Sequence, residues 1–259
     1  MRNIYKVILV IFSFASIGLL IFLFCFKDEK VPTLKRYYPQ TKETFTFEYI
    51  TRNGDTILQG TGIRYNEKGG KISECNFINN VIKGKYIYYY DNGKIEYIKY
   101  VLDSKRDAEI RWNYPNGEVE KYAFFSKYKE PIFLISYDKK GPTQYDGHVI
   151  ESVYHGKLNS NKQHNTEDSQ YYKVGDTLLH QYLIANIPNA KRSFKIENIG
   201  IDNAKVKRTI TPKVPTTIEV KEVLTTKGKN TIKAVVKYEF KDNIMPPIIN
   251  TLCFDVNVN

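Results

Sequence analysis

Apolar and polar positions divide the chain into one long uncharged run and a series of short alternating segments. The run, residues 7–26, carries no charge and holds only three small polar or glycine residues. Twenty helical residues rise about 30 Å, which matches the apolar thickness of a bilayer. The run therefore predicts a single transmembrane helix within residues 1–26, followed by a linker at residues 27–40.

The C-terminal end of the run separates three interpretations of this segment. A cleaved signal peptide needs small residues before the cleavage site, whereas the run ends in Phe24, Cys25 and Phe26. A lipoprotein signal would acylate Cys25, but Phe24 stands where such signals have a small residue. These features favour an uncleaved signal-anchor.

Positive charges are more numerous after the run than before it. Long domains translocate largely regardless of such charges, so we expect a single-pass protein with its body outside the cytoplasm, periplasmic or extracellular.

The polar pattern repeats between residues 41 and 147. Gly70, Gly93, Gly117 and Gly141 recur at nearly equal intervals of two dozen positions or one fewer. Asn-Gly steps supply the positive φ angles of tight turns, and the flanking alternation of Tyr, Ile and Val with polar residues is typical of strands. Each unit therefore predicts one β-hairpin, and successive hairpins should pair into an elongated, twisted sheet. An aromatic residue lies seven positions after each of the first three glycines, at Phe77, Tyr100 and Phe124.

Residues 148–170 form a polar stretch that predicts a linker, and alternation resumes in residues 171–259. Apolar residues occupy every second position from Ile232 to Phe240. Several short strands with one apolar face predict a β-sandwich, which is similar to an immunoglobulin-like module by architecture only. The predicted fold class is thus all-β: one transmembrane helix, a β-hairpin repeat sheet and a C-terminal β-sandwich. Further strands are predicted at 177–184, 193–199 and 217–224, with a turn at 228–230.

The repeat units resemble the MORN repeat, in the degenerate bacterial form often described as antitoxin-type. The resemblance rests on residues 84–95 and 112–119 and covers roughly residues 50–146. The chain departs from the pattern at residues 108–110, where a glycine is expected, and at Pro131. The resemblance implies a scaffold for binding or spacing, and it implies no catalytic residue.

Composition and charge narrow the range of partners. The formal net charge is +11 and the chain contains 21 tyrosines. The basic residues are mostly lysines spread along the chain, and no basic run exceeds a dipeptide such as Lys35-Arg36. Phosphate recognition favours clustered arginine, so we predict no nucleic-acid partner. An electrostatic role at anionic lipid or a cell-surface polymer stays open beside the simpler interpretation, lysines on strand surfaces.

The motifs of common catalytic sites are missing from the sequence. The four histidines, which include His155 and His180, show no metal-ligand spacing. No Gly-x-Ser-x-Gly elbow and no phosphate-binding Gly-x-x-x-x-Gly-Lys loop occurs. We therefore expect neither an enzyme nor a cofactor nor a metal.

These observations predict a non-catalytic, membrane-anchored binding or scaffold protein of the cell envelope. Its partners would be the membrane, through the N-terminal helix, and a protein still to be identified. The alternative is an immunity or antitoxin-like protein that neutralises a toxin, which the repeat resemblance suggests.

Tyrosine and tryptophan combine an apolar body with a polar tip, but they also pack across strands to hold a thin sheet. The candidate binding face consists of Tyr88, Tyr90, Trp112 and Tyr114.

Overall fold

The computed structural model describes residues 31–103, 106–158, 172–213, 215–241 and 244–259. These ranges contain β-strands and one 3-10 helix, and the strands form three antiparallel sheets. The described part of the chain is therefore all-β, as the sequence predicts. No helix within these ranges has the length and apolar character needed to cross a bilayer. The predicted transmembrane segment lies outside the described residues.

The strands follow one another closely along the chain, and the 3-10 helix spans Asn203–Lys205. Their bounds are β1 (Thr33–Tyr38), β2 (Glu43–Arg52), β3 (Asp55–Tyr65), β4 (Lys71–Ile78), β5 (Val81–Tyr89), β6 (Ile95–Asp103), β7 (Arg106–Asn113), β8 (Val119–Phe125), β9 (Pro131–Asp138), β10 (Gly141–Gly147), β11 (Ile150–Lys157), β12 (Thr177–Ile184), β13 (Ala190–Ile199), β14 (Arg208–Lys213), β15 (Thr217–Val223), β16 (Gly228–Phe240) and β17 (Ile248–Val258).

The first ten strands form one sheet in which spatial order equals chain order, from β1 to β10. Each strand is antiparallel to the next, so the sheet is a continuous series of hairpins. Strand β1 lies inside the segment expected as a linker, residues 27–40, and pairs with β2 along its whole length. It escaped prediction because five of its six residues are exposed, which leaves little apolar alternation to detect.

Glycines in the left-handed conformation form tight turns at one end of the strands in this sheet. Gly69, Gly93 and Gly117 have φ angles of 80°, 79° and 92°, a range that glycine adopts without steric cost. The turn-forming glycine of the first unit is thus Gly69 rather than the predicted Gly70, and the two intervals between these three turns become equal. Gly141 differs again, because it begins β10 directly opposite Asp138 in a two-residue turn.

The ten-stranded sheet has two sides that the sequence pattern did not separate. Face A is the side with Tyr88, Tyr97 and Trp112, which are cross-strand neighbours on β5, β6 and β7. Face B is the opposite side, with Tyr100 and Phe124. The one-residue difference between Gly69 and Gly70 matters here, since a one-residue shift along a strand moves a side chain to the other face. Phe77 lies on face A, where it contacts the ring of Phe47, so it is not equivalent to Tyr100 and Phe124.

The C-terminal strands form two smaller sheets, ordered β11-β12-β15-β14 and β13-β16-β17. The predicted alternation on β16 is confirmed, because Ile232, Ala234 and Val236 are fully buried between exposed or half-buried neighbours. Contacts such as that between the rings of Tyr182 and Phe194, 5.6 Å apart, join the inner sides of the two sheets. The two sheets therefore share one hydrophobic core.

Two local predictions about this region were wrong. The expected linker at 148–170 contains β11, which pairs with β12 as an edge strand. The expected turn at 228–230 is the start of β16, because β17 extends to Val258 and pairs with Gly228. The preceding strand, β15, belongs to the other sheet, so the connection between β15 and β16 crosses from one sheet to the other.

The repeat sheet and the C-terminal sheets meet on face B of β8 and β9. The hydroxyl of Tyr137 donates a hydrogen bond to the carbonyl of Pro188 at 2.8 Å. On β9, alternate residues are buried on face B, whereas Leu134 and Ser136 on face A stay half-buried. The C-terminal sheets thus cover face B at this end and leave face A on the other side. The face B residues that join the common core are Tyr122, Phe124, Phe133, Ile135 and Tyr137.

Candidate functional site

A continuous line of aromatic and cationic side chains crosses face A. We call Arg64, Tyr88, Tyr97, Trp112 and Lys121 the aromatic row; pairing between neighbouring strands places them in line. The rings of Tyr88 and Tyr97 are stacked, with centroids 4.3 Å apart and planes 20° apart. The guanidinium carbon of Arg64 lies 5.6 Å from the centre of the Tyr88 ring, and the ammonium of Lys121 lies 5.5 Å from that of Trp112. Cations therefore contact aromatic rings at both ends of the row.

A second pair of side chains extends the row on face A. The ring of Tyr86 stacks on Tyr88 at 4.7 Å, and the ammonium of Lys99 lies 5.3 Å from the Tyr86 ring. Burial raises the pKa of Tyr86 to about 12, and burial likewise raises the pKa of Tyr97. The phenols are thus neutral hydrogen-bonding groups at physiological pH, and the cations beside them, Lys99 and Arg64, lie 3.7 and 3.9 Å from carboxylate oxygens of Asp107 and Glu43. This surface therefore combines flat aromatic rings with cationic side chains.

The structure assigns two different positions to the four predicted binding residues. Tyr88 and Trp112 lie on the aromatic row with Tyr97 between them. Tyr90 and Tyr114 lie in the turns instead, where each hydroxyl donates to a backbone carbonyl of the following repeat unit. The bond from Tyr90 to the carbonyl of Asn113 measures 2.7 Å, and Tyr114 makes the equivalent bond to Tyr137 at 3.0 Å. These two tyrosines join successive hairpins.

Replacing Tyr90 or Tyr114 by phenylalanine tests this interpretation. Each change removes one hydroxyl and keeps the ring, so we expect each to lower the free energy of unfolding by about 1 kcal/mol. The measurement is the midpoint of urea unfolding. Tyr37→Phe serves as the matched control, because Tyr37 is 55% exposed on the edge strand β1 and should leave the midpoint unchanged. Equal shifts in all three variants would contradict a specific role for the two turn tyrosines.

Sequence reasoning missed three members of the aromatic row, Arg64, Tyr97 and Lys121. Tyr97 and Lys121 are separated by one repeat length, so they occupy equivalent positions in successive units. A consistent count from Gly69 would have placed them on one face. Arg64 lies one repeat length before Tyr88, which in turn lies one repeat length before Trp112, but an arginine does not fit the aromatic pattern that defines the repeat.

A second cluster of polar side chains lies inside the C-terminal sheets. Glu222 is 1% exposed and accepts hydrogen bonds from the Nε of Arg208 at 2.7 Å and from the amide of Asn198 at 3.0 Å. Arg208 also donates to the side-chain oxygen of Asn198. Because Asn198 belongs to β13 and its two partners belong to β14 and β15, the cluster joins the two sheets.

His180 lies next to this cluster and is fully buried. Its Nδ1 is 2.7 Å from the hydroxyl of Tyr182, and its Nε2 is 3.8 Å from a carboxylate oxygen of Glu222. Burial, together with the nearby positive charge of Arg208, lowers the pKa of His180 to about 3. The grouping of histidine, carboxylate and phenol superficially suggests catalysis. However, these side chains are closed off from solvent, so we interpret them as structural.

Within the described ranges, no three His, Cys, Asp or Glu side chains come together as a group able to hold a metal ion. A comparison of the chain with known protein families gives no match, and a comparison with curated proteins gives none either. The aromatic row on face A is therefore the candidate functional surface on structural grounds alone.

Proposed function

We propose that the chain is a non-catalytic binding or scaffold protein of the cell envelope that presents face A to a partner protein. The observation that carries this proposal is the aromatic row. Tyrosine, tryptophan and arginine are the residue types enriched in protein interfaces, and here they form one line on the side of the sheet opposite the C-terminal sheets. Stacking also stabilises the sheet, so the experiment must separate binding from stability.

We also propose the membrane anchor, the repeat sheet and the β-sandwich that the sequence predicts. Residues 7–26 would hold the chain in the membrane with its body outside the cytoplasm. The ten-stranded sheet would be a MORN-like repeat array, which the regular spacing of its glycine turns supports. The two C-terminal sheets would form an immunoglobulin-like sandwich.

Site-specific photo-crosslinking in cells tests the binding surface. The photoreactive residue p-benzoylphenylalanine is placed at Trp112 on face A, or at Tyr128 as a control that is 71% exposed in a loop. We expect a discrete protein adduct from position 112 that the control position does not give. Charge reversal of a neighbouring row residue, Lys121→Glu, should abolish the adduct while the far-ultraviolet circular dichroism of the purified protein stays unchanged. No adduct from position 112, or the same adduct from both positions, rejects face A as the contact surface.

Cell fractionation tests the anchor independently. The full chain should remain in the membrane fraction after an alkaline carbonate wash, and a chain that lacks residues 1–26 should be released. External protease added to intact cells, or to spheroplasts where an outer membrane is present, should degrade the body. Protection of the body would reverse the proposed orientation. If the crosslinked partner proved to be a toxin whose effect this chain suppresses, the immunity function would replace the scaffold function.

A further inference from the structure

A cavity of about 300 Å³ opens on face B, where the ten-stranded sheet meets the C-terminal sheets. Lys85, Tyr100 and Arg111 line it from β5, β6 and β7. Asn186 and Pro188, from the loop between β12 and β13, close its other side. The cavity is therefore built from two parts of the fold that are far apart in the sequence.

Hydrogen bonds hold one wall of this cavity in place. Glu109 accepts from the hydroxyl of Tyr122 at 2.9 Å and from the side-chain amide of Asn186 at 3.2 Å. The same tyrosine hydroxyl accepts from the backbone N–H of Asn186 at 2.7 Å. Tyr122 is 2% exposed, so these bonds lie at the protected base of the cavity. Burial raises the pKa of Glu109, and the hydrogen bonds from Tyr122 and Asn186 and the positive charges of Arg192 and Arg111 oppose that shift without cancelling it.

Arg111 lines the cavity without a hydrogen-bonding partner. Its buried Nε has no hydrogen-bond partner within the described ranges, and its positive charge acts through space on the nearby carboxyl group of Glu109. A guanidinium carries five donors, and buried polar groups without partners are uncommon in native proteins because desolvation without a hydrogen bond is costly. Lys85 adds a second cation at the exposed rim. The cavity therefore has donor capacity that the protein itself does not use.

We propose that this cavity binds a small organic anion, whose oxyanion group pairs with Arg111 and Lys85. A planar guanidinium matches both carboxylate and phosphate in bidentate geometry, so both forms of the anion share this chemistry. Ile98 and Tyr100 supply an apolar wall for the rest of the molecule. This site lies on the opposite side of the sheet from the aromatic row and does not depend on the function proposed for that row.

Calorimetric titration of the full chain in a neutral detergent tests the site. The probes are benzoate, phenyl phosphate and the uncharged benzyl alcohol. We expect saturable binding of at least one anion and none of benzyl alcohol, and the tighter of the two anions distinguishes a carboxylate ligand from a phosphate. Arg111→Gln should weaken binding about tenfold or more, since a hydrogen-bonded charge is lost.

Two further variants make the result decisive. Lys85→Gln changes an exposed residue that the fold does not need, and it should weaken binding even if Arg111→Gln fails to fold. Arg64→Gln removes an arginine from face A and should leave the affinity unchanged. The proposal is overturned if neither anion binds saturably, if Lys85→Gln binds as well as the wild type, or if Arg64→Gln weakens binding as much as the cavity variants.

Discussion

Replacing Arg208 by methionine should lower the free energy of unfolding by about 3–5 kcal/mol, because it leaves the buried carboxylate of Glu222 without its cation. The Nε of Arg208 is 2.7 Å from that carboxylate, and Glu222 has no exposed side-chain surface. Methionine keeps the approximate length of the aliphatic chain, so the expected loss comes from the charge and its hydrogen bonds. Urea unfolding of the purified chain, followed by circular dichroism, gives the measurement.

An exposed ion pair provides the matched control for this prediction. Lys237 and Glu239 on β16 lie 2.6 Å apart, but their side chains are 39% and 50% exposed. Solvent screens such pairs, so Lys237→Met should change the unfolding midpoint little. The size of the Arg208 effect is therefore expected to follow burial rather than the number of ion pairs removed.

A double-mutant cycle identifies the cause of the Arg208 effect. Glu222→Gln removes the buried negative charge and keeps a side chain that can bond to Asn198. In that background the Arg208→Met change should cost much less than in the wild type, because no carboxylate is left unpaired. If the cost is the same in both backgrounds, packing rather than charge accounts for the loss.

The all-β fold was accessible from the sequence because strands and tight turns depend on neighbouring residues. The alternation from Ile232 to Phe240 identified β16, and the Asn-Gly steps at Gly93 and Gly117 identified two turns correctly. The first unit has two adjacent glycines, Gly69 and Gly70, and the sequence does not distinguish them. The backbone does, since the N–H of Gly69 bonds to the carbonyl of Asn66 at 3.0 Å.

Long-range pairing was the part that the sequence could not supply. The segment 228–230 has the composition of a turn, and its pairing with the end of β17 depends on a strand much later in the chain. The edge strands β1 and β11 lie in segments whose sequence predicts linkers, because an edge strand tolerates polar residues and lacks a strong apolar face. Local patterns therefore locate central strands better than edges or sheet membership.

The candidate site shows the same difference between local patterns, which the sequence reveals, and long-range contacts, which it does not. Tyr88 and Tyr90 look alike in the sequence, yet one belongs to the aromatic row and the other bonds to a carbonyl of the next repeat unit. The cavity on face B could not be anticipated at all, since Arg111 and Asn186 meet only after the repeat sheet packs on the C-terminal sheets. To identify a binding surface, one must therefore know on which face of the sheet each residue lies. That depends on the register of the strands.

Acidification from pH 7 to pH 5 should lower the free energy of unfolding through His180 by about 2 kcal/mol. The folded-state pKa of His180 is about 3, well below its usual value of 6.5. Between these values the unfolded chain binds a proton that the folded chain does not. This contribution to stability is therefore complete above pH 6.5 and falls as the pH decreases toward 3. Each pH unit inside this window changes the free energy by about 1.4 kcal/mol.

Burial is the main reason that the pKa of His180 is low and the ring stays neutral, and nearby positive charge adds to it. Arg208 repels a second positive charge, and Tyr182 contacts the Nδ1 of the ring. His180→Gln supplies a neutral side chain that can bond to the same hydroxyl, so its unfolding free energy should depend less on pH between 7 and 5. Titratable groups remote from His180 contribute equally to both proteins, so the difference between the two slopes reports His180 together with its coupling to Glu222 and His155. Parallel slopes in wild type and variant would show that His180 does not control stability in this range.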